Sequence, residues 1–153
     1  MKYNVKCVWK NRSDQIFSDG KYSRVHRWIF DGGIELTASS SPQVVPLPMS
    51  DEHAVDPEEA FIAAVSSCHM LFFLSIAAAN HLVVETYEDN AEGILNKNEE
   101  GKMAITKIEL KPTLKFSGDN VPSAGQIANI HRQAHEKCYI ANSVRSMIDI
   151  IPS

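Results

Sequence analysis

The chain has 153 residues, 44% hydrophobic and 22% charged, which suits a single domain with a real core and excludes a disordered chain. Fifteen Lys and Arg against 19 Asp and Glu leave a net charge of −4 with no long basic run, so no nucleic-acid partner is expected. Three cysteines, an odd number, do not make a disulfide framework, and the opening MKYNVKCVWK lacks the apolar core of a signal peptide, so a cytoplasmic protein is expected.

Tyr3, Val5, Cys7 and Trp9 alternate with polar residues and predict a first strand with one wet face, Cys7 lying on the apolar side. A turn region follows over 11–21, closing at Asp19-Gly20. A second strand is expected over Tyr22–Phe30, and Asp31-Gly32-Gly33 signals a hairpin into Ile34–Ala38. Ser39–Val55, with Pro42, Pro46 and Pro48, reads as a long loop of the kind that carries function. Asp56, Pro57 and Glu59 then form a helix start: a cap, a first-turn proline and a capping-box glutamate. Strands resume over Leu82–Glu92, a turn falls at Asn98-Glu99-Glu100-Gly101, and Ile105–Phe116 reads as strand interrupted at Pro112. Ser123 and Gln126 open a second helix running towards Cys138, and Met147–Ile151 closes the chain as a short strand. The expected class is α+β in one domain spanning 1–153.

Ala60–Ala79 carries no Lys, Arg, Asp or Glu and is long enough to cross a bilayer. Its flanks are acidic at Asp56, Glu58 and Glu59, Ser66, Ser67, His69 and Ser75 interrupt it, and the alternating strands need something apolar to cover. A buried central helix, and no membrane partner, is therefore expected. Cys68 lies in the middle of that helix. Composition alone makes it a core residue, but Ser66, Ser67 and His69 add polar groups that a purely structural helix centre does not need. On the second helix His131, His135 and Cys138 share one face, and with Cys68 or His69 they offer four tetrahedral zinc ligands. The other reading of that face, ordinary surface histidines and no metal, is preferred because no CxxC pair accompanies it.

The stretch Asp56-Pro57-Glu58-Glu59-Ala60-Phe61-Ile62-Ala63-Ala64-Val65-Ser66-Ser67-Cys68 resembles the Asn-Pro-Glu…Ala-Ala…Cys signature of the osmotically inducible and organic hydroperoxide resistance (OsmC/Ohr) superfamily. Ala134-His135-Glu136-Lys137-Cys138 resembles the segment holding that superfamily's second cysteine, 138 − 68 = 70 residues on. The resemblance implies an OsmC/Ohr-like fold, antiparallel sheets around a long buried central helix in an intertwined homodimer. It implies a thiol peroxidase for organic hydroperoxides in which Cys68 is the peroxidatic thiol, Cys138 the resolving thiol and Glu58 a carboxylate that orients an activating arginine. Arg24 is preferred for that arginine over Arg27, with which it does not share a strand face. No bound cofactor is implied, but an external dithiol is required, and the resemblance suggests a lipoyl-type one. Asp56 departs from the usual Asn while keeping the cap. Tyr139-Ile140-Ala141-Asn142-Ser143 departs from the usual sequence after the second cysteine.

The chemistry explains why those residue types are needed. Thiolate, not thiol, attacks a peroxide, and an unperturbed cysteine is only a few per cent thiolate at neutral pH. Mid-helix, Cys68 gains little from the helix N-terminus, so a fixed cation is required. Arginine stays charged and presents a planar fork. In one straight helix Glu58 and Cys68 stand about 15 Å apart along the axis and about 80° apart around it, with no Gly or Pro between them. Each site is therefore expected to be shared between two chains. Phe61, Leu71, Phe72 and Trp28 are candidates for an apolar mouth. Two alternatives stand beside the enzyme: a non-catalytic small-molecule-binding member of the same fold, and a zinc protein using His131, His135 and Cys138.

Overall fold

The computed structural model describes every residue except Ser13, Gln15 and Ser153. It divides into two compact units, Met1–Ala60 and Phe61–Ser153. Part of the turn region expected over 11–21 lies outside the described residues.

The first unit is built on a three-stranded antiparallel sheet in the order β1-β2-β3, with β1 at Val5–Val8, β2 at His26–Phe30 and β3 at Glu35–Ala38. Cys7 pairs with Trp28 and Trp28 with Leu36. The β2–β3 hairpin turns where the sequence signals it, with Gly33 at φ 86°, a left-handed angle that suits glycine. The second strand starts four residues later than expected, so Arg24 precedes it. The long loop is tied down by backbone. Ser39 N–H donates to the Val55 carbonyl at 3.1 Å, Arg24 N–H to Met49 at 2.7 Å, and the Ser39 hydroxyl accepts from Asp51 N–H at 3.0 Å.

Among the described residues, the apolar face expected on β1 is largely exposed. Cys7 is exposed, correcting the expectation that it packs in a core, and Tyr3, Val5 and Trp9 are exposed beside it. Period-two alternation shows that a face is apolar, and cannot show what covers it.

Helix α1, Pro57–Ala79, begins with the capping box read from the sequence. Asp56 Oδ1 accepts Glu59 N–H at 2.7 Å, and Glu59 Oε2 accepts Asp56 N–H at 3.4 Å. Asp56→Ala should cost about 1 kcal/mol of stability, the usual worth of such a cap. Urea unfolding checks this, and a loss near zero would mean that the cap is redundant. At its other end His81, at φ 57°, turns the chain out of the helix while Leu82 N–H donates to the Ala77 carbonyl.

In the second unit, α1 buries Val65, His69, Phe73, Ile76 and Ala77 along one face. Ala64, Ser67, Leu71, Ser75 and Ala78 stay exposed along another, Leu71 at 60%. Within one chain the helix is thus covered on one side. β4 at Val83–Asp89 pairs antiparallel with β7 at Pro112–Ser117. β5 at Glu92–Lys97 and β6 at Met103–Leu110 form a hairpin through the expected 98–101 turn, and β8 at Met147–Ile150 joins β6 in parallel. A parallel neighbour needs a crossover, supplied here by β7 and helix α2, Ala124–Lys137. α2 starts at a capping box in which the Ser123 hydroxyl accepts Gln126 N–H at 3.3 Å. One apolar cluster joins Phe73, Ile76 and Ala77 of α1 to Ile130 and Ala134 of α2. A second joins Val65 to Ile108 and Leu110 of β6.

Candidate active site

Two sets of the expected residues are brought together, one in each unit. In the second unit Cys138 caps the C-terminus of α2, and its thiol lies close enough to that of Cys68 on α1 for the two to perturb each other. Both are free thiols, Cys138 buried and Cys68 half-buried. Cys138 Sγ also accepts Ala141 N–H at 3.3 Å. Burial first, and the Cys68 hydrogen bond second, push the Cys138 thiol up to about 11, so it is protonated at neutral pH. Residues 68 and 138 are far apart in sequence. They meet because apolar packing lays α2 on α1, and Phe72 meets Tyr139 edge-on at 5.1 Å beside them.

In the first unit Arg24 and Glu58 line one cavity of about 460 Å³ with Trp9, Phe17, Tyr22, His26, Ser39, Ser40 and Pro57. The Arg24 guanidinium lies 3.7 Å over the Tyr22 ring and donates to the carbonyls of Gly20, at 2.9 Å, and Tyr22. Three rings pack into one wall, with Phe17 stacked on Tyr22 at 4.5 Å and Trp9 at 5.6 and 5.5 Å from them. Arg27 is exposed on β2 and paired with Glu35 at 3.0 Å. None of the four residues expected at the apolar mouth lines this cavity. Phe61 packs in the Val65 cluster, Phe72 against Tyr139, Leu71 is exposed, and Trp28 Nε1 bonds His26 Nε2. The aromatic wall that is present escaped the sequence reading because Trp9, Phe17 and Tyr22 share no periodic element. The one signal was their density around an otherwise polar turn.

The histidine face is used differently from a metal site. Among the described residues no three His, Cys, Asp or Glu side chains are grouped to hold a metal ion. His131 Nδ1 instead hydrogen-bonds His69 Nε2 at 2.9 Å, the rings stacked 5.2 Å apart within 6° of parallel. Both imidazoles are buried. Burial, and for His69 the neighbouring His131 and His135, depress each to about 4, with Asp89 opposing this at His131. A histidine titrates near 6.5 in an unfolded chain, so between pH 6.5 and 4 the unfolded chain binds more protons. The neutral pair therefore costs the fold nothing through protonation above pH 6.5, and stability is lost as pH falls from 6.5 towards 4. Denaturant unfolding across that range checks this, and a flat profile would contradict it.

An α+β chain with two helices, several mainly antiparallel sheets and a cysteine pair across the helices defines a class of thiol-bearing proteins with a long apolar helix. The family pattern described as OsmC-like protein matches residues 50–153. The chain belongs to that family. It is similar over 100% of its length to 99% of an OsmC-like protein of unknown function from Vibrio cholerae, at 50% identity and TM-score 0.99. An OsmC-like protein from Mycoplasma pneumoniae is 15% identical at TM-score 0.74, over 100% of this chain and 96% of that one. The organic hydroperoxide resistance protein OhrB of Bacillus subtilis is 18% identical at TM-score 0.66, over 99% and 97% of the two chains. These two distant likenesses show the shared fold. Among curated proteins none matches.

Proposed function

We propose that the protein is a cysteine-based peroxidase that reduces organic hydroperoxides to alcohols. The observation that carries this reading is the proximity of the Cys68 and Cys138 thiols, two free cysteines brought together by the packing of α2 on α1. The structural neighbours named as organic hydroperoxide resistance proteins support it. Cys68 thiolate attacks one peroxide oxygen. The O–O bond breaks, the alkoxide takes a proton and leaves as alcohol, and Cys68 becomes a sulfenic acid. Cys138 thiol condenses with it, forming the S–S bond and releasing water. Two thiols of an external dithiol, lipoyl-type in this reading, then reduce that disulfide. Cys138 suits the second role: held protonated, it competes poorly for peroxide, yet it lies beside Cys68 when the sulfenic acid appears.

The remaining parts are Arg24 as the cation that favours the Cys68 thiolate, Glu58 as its orienting carboxylate, and a homodimer that completes each site across two chains. Two observations favour a second copy. The uncovered face of α1 carries no charge, with Ala64, Ala78 and Leu71 beside Ser67 and Ser75, and the β1 sheet leaves Tyr3, Val5 and Leu36 exposed. Apolar surface of this kind marks an interaction face. Glu58 and Cys68 also lie ten residues apart on one unbroken helix, about 15 Å by its rise. The protein works in the cytoplasm in this reading, without a bound cofactor.

The test is hydroperoxide consumption with dihydrolipoamide or dithiothreitol, together with sedimentation across a dilution series. Steady consumption by a dimer is expected. No consumption with any dithiol would overturn the peroxidase, and full activity in a stable monomer would overturn the shared site.

A further inference from the structure

The mechanism above leaves two buried imidazoles unused. His69 projects from α1 and His131 from α2, 1% and 3% exposed, and each is the other's hydrogen-bond partner at 2.9 Å. Their outer nitrogens, His69 Nδ1 and His131 Nε2, have no hydrogen-bond partner among the described residues. A pair of apolar side chains would fill this space without orphaned polar atoms, and replacing buried polar pairs by apolar ones is commonly neutral or stabilising. Stability alone therefore does not explain the pair.

Its position does. The rest of the α1–α2 contact is apolar, formed by Phe73, Ile76 and Ala77 against Ile130 and Ala134. Such packing is non-directional and leaves register weakly specified. Among the described residues, the side-chain hydrogen bond between α1 and α2 is His69–His131, and it lies beside the neighbouring Cys68 and Cys138 thiols. The two pairs arise from neighbouring residues on α1 and from the same face of α2. His131 is further held by Phe73, whose ring centre is 4.4 Å away. A hydrogen bond has direction and a narrow distance range, so it fixes where α2 sits on α1.

We infer that His69 and His131 are positioning residues: their hydrogen bond sets the register of α2 on α1 that holds the Cys138 thiol against Cys68. This rests on the reading of Cys68 and Cys138 as a redox pair, but its test needs no peroxide. The reaction followed is Cys68–SH + Cys138–SH + oxidised glutathione ⇌ the intramolecular disulfide + two reduced glutathiones. It is run at equilibrium in glutathione buffers, in a Cys7→Ser background that removes the exposed third thiol, and read by mass spectrometry after acid quench. The equilibrium constant compares two folded states. Substituting a residue that merely stabilises the fold lowers the melting temperature without moving that constant, whereas substituting one that holds the thiols together moves both.

The bond uses His131 Nδ1, whose place an asparagine amide takes, while a glutamine amide reaches the Nε2 position instead. His131→Asn should keep the equilibrium constant within about threefold. His131→Gln and His131→Phe should lower it about tenfold, which is about 30 mV for this two-electron couple. The Asn and Gln variants carry the same polar group, so their contrast remains informative if His131→Phe fails to fold. Equal constants for wild type, Asn and Gln would overturn the inference. A wild type that forms no Cys68–Cys138 disulfide in any glutathione buffer would overturn it together with the peroxidase mechanism. A wild type that forms the disulfide but consumes no hydroperoxide would overturn the peroxidase and leave the inference standing.

Discussion

Cys68→Ser is expected to abolish hydroperoxide reduction, lowering it by about a thousandfold or more, because a serine hydroxyl is not ionised at neutral pH and nothing else supplies the nucleophile. Cys138→Ser should behave differently. Its Cys68 should still reduce one hydroperoxide per chain, then lack the neighbouring thiol present in the wild type. With excess peroxide the sulfenic acid should take up a further oxygen and become sulfinic acid, ending turnover. Stopped-flow measurement of the first turnover and intact-protein mass spectrometry after it separate the two variants. Sustained turnover by Cys138→Ser without over-oxidation would remove Cys138 from the mechanism. Substantial consumption by Cys68→Ser would remove Cys68. Cys7, exposed on β1, should be replaceable by serine with no change in rate.

The second large effect concerns the arginine. Arg24→Ala should slow the first turnover about a hundredfold, equivalent to about 2.7 kcal/mol, an effect one partly buried ion pair can supply. Arg24 is half-buried, lines a cavity with Glu58, and is braced by the Tyr22 ring and the Gly20 carbonyl. Arg27→Ala should change the rate less than about twofold, since an exposed pair such as Arg27–Glu35 is worth little. Arg24→Lys should fall between, keeping the charge but losing the planar fork. The reverse ordering of the alanine variants would transfer the role to Arg27.

Local chemistry was legible in the sequence, and for a plain reason. A capping box is closed by residues three apart, so Asp56–Glu59 and Ser123–Gln126 could be read directly, and both are present. The Asp31-Gly32-Gly33 hairpin, the 98–101 turn and the short last strand depend on a few neighbouring residues and also appear where expected. Family membership was legible as well, because the motifs around Cys68 and Cys138 are contiguous runs.

What lay beyond the sequence depends on what packs against what. Alternation placed Cys7 on an apolar face, but only the sheet order shows β1 at an edge with that face uncovered. It also ran the second strand back to Tyr22, whereas the structure starts β2 at His26 and folds Arg24 against its own turn. The parallel pairing of β8 with β6 needed the crossover to be seen whole. The helical spacing of His131, His135 and Cys138 was read correctly as one face, and the partner of that face was not. Spacing on a helix says which side chains point the same way. Whether they meet zinc, water or another imidazole is decided by the helix laid across them, and here α1 brings His69 to His131 and Cys68 to Cys138.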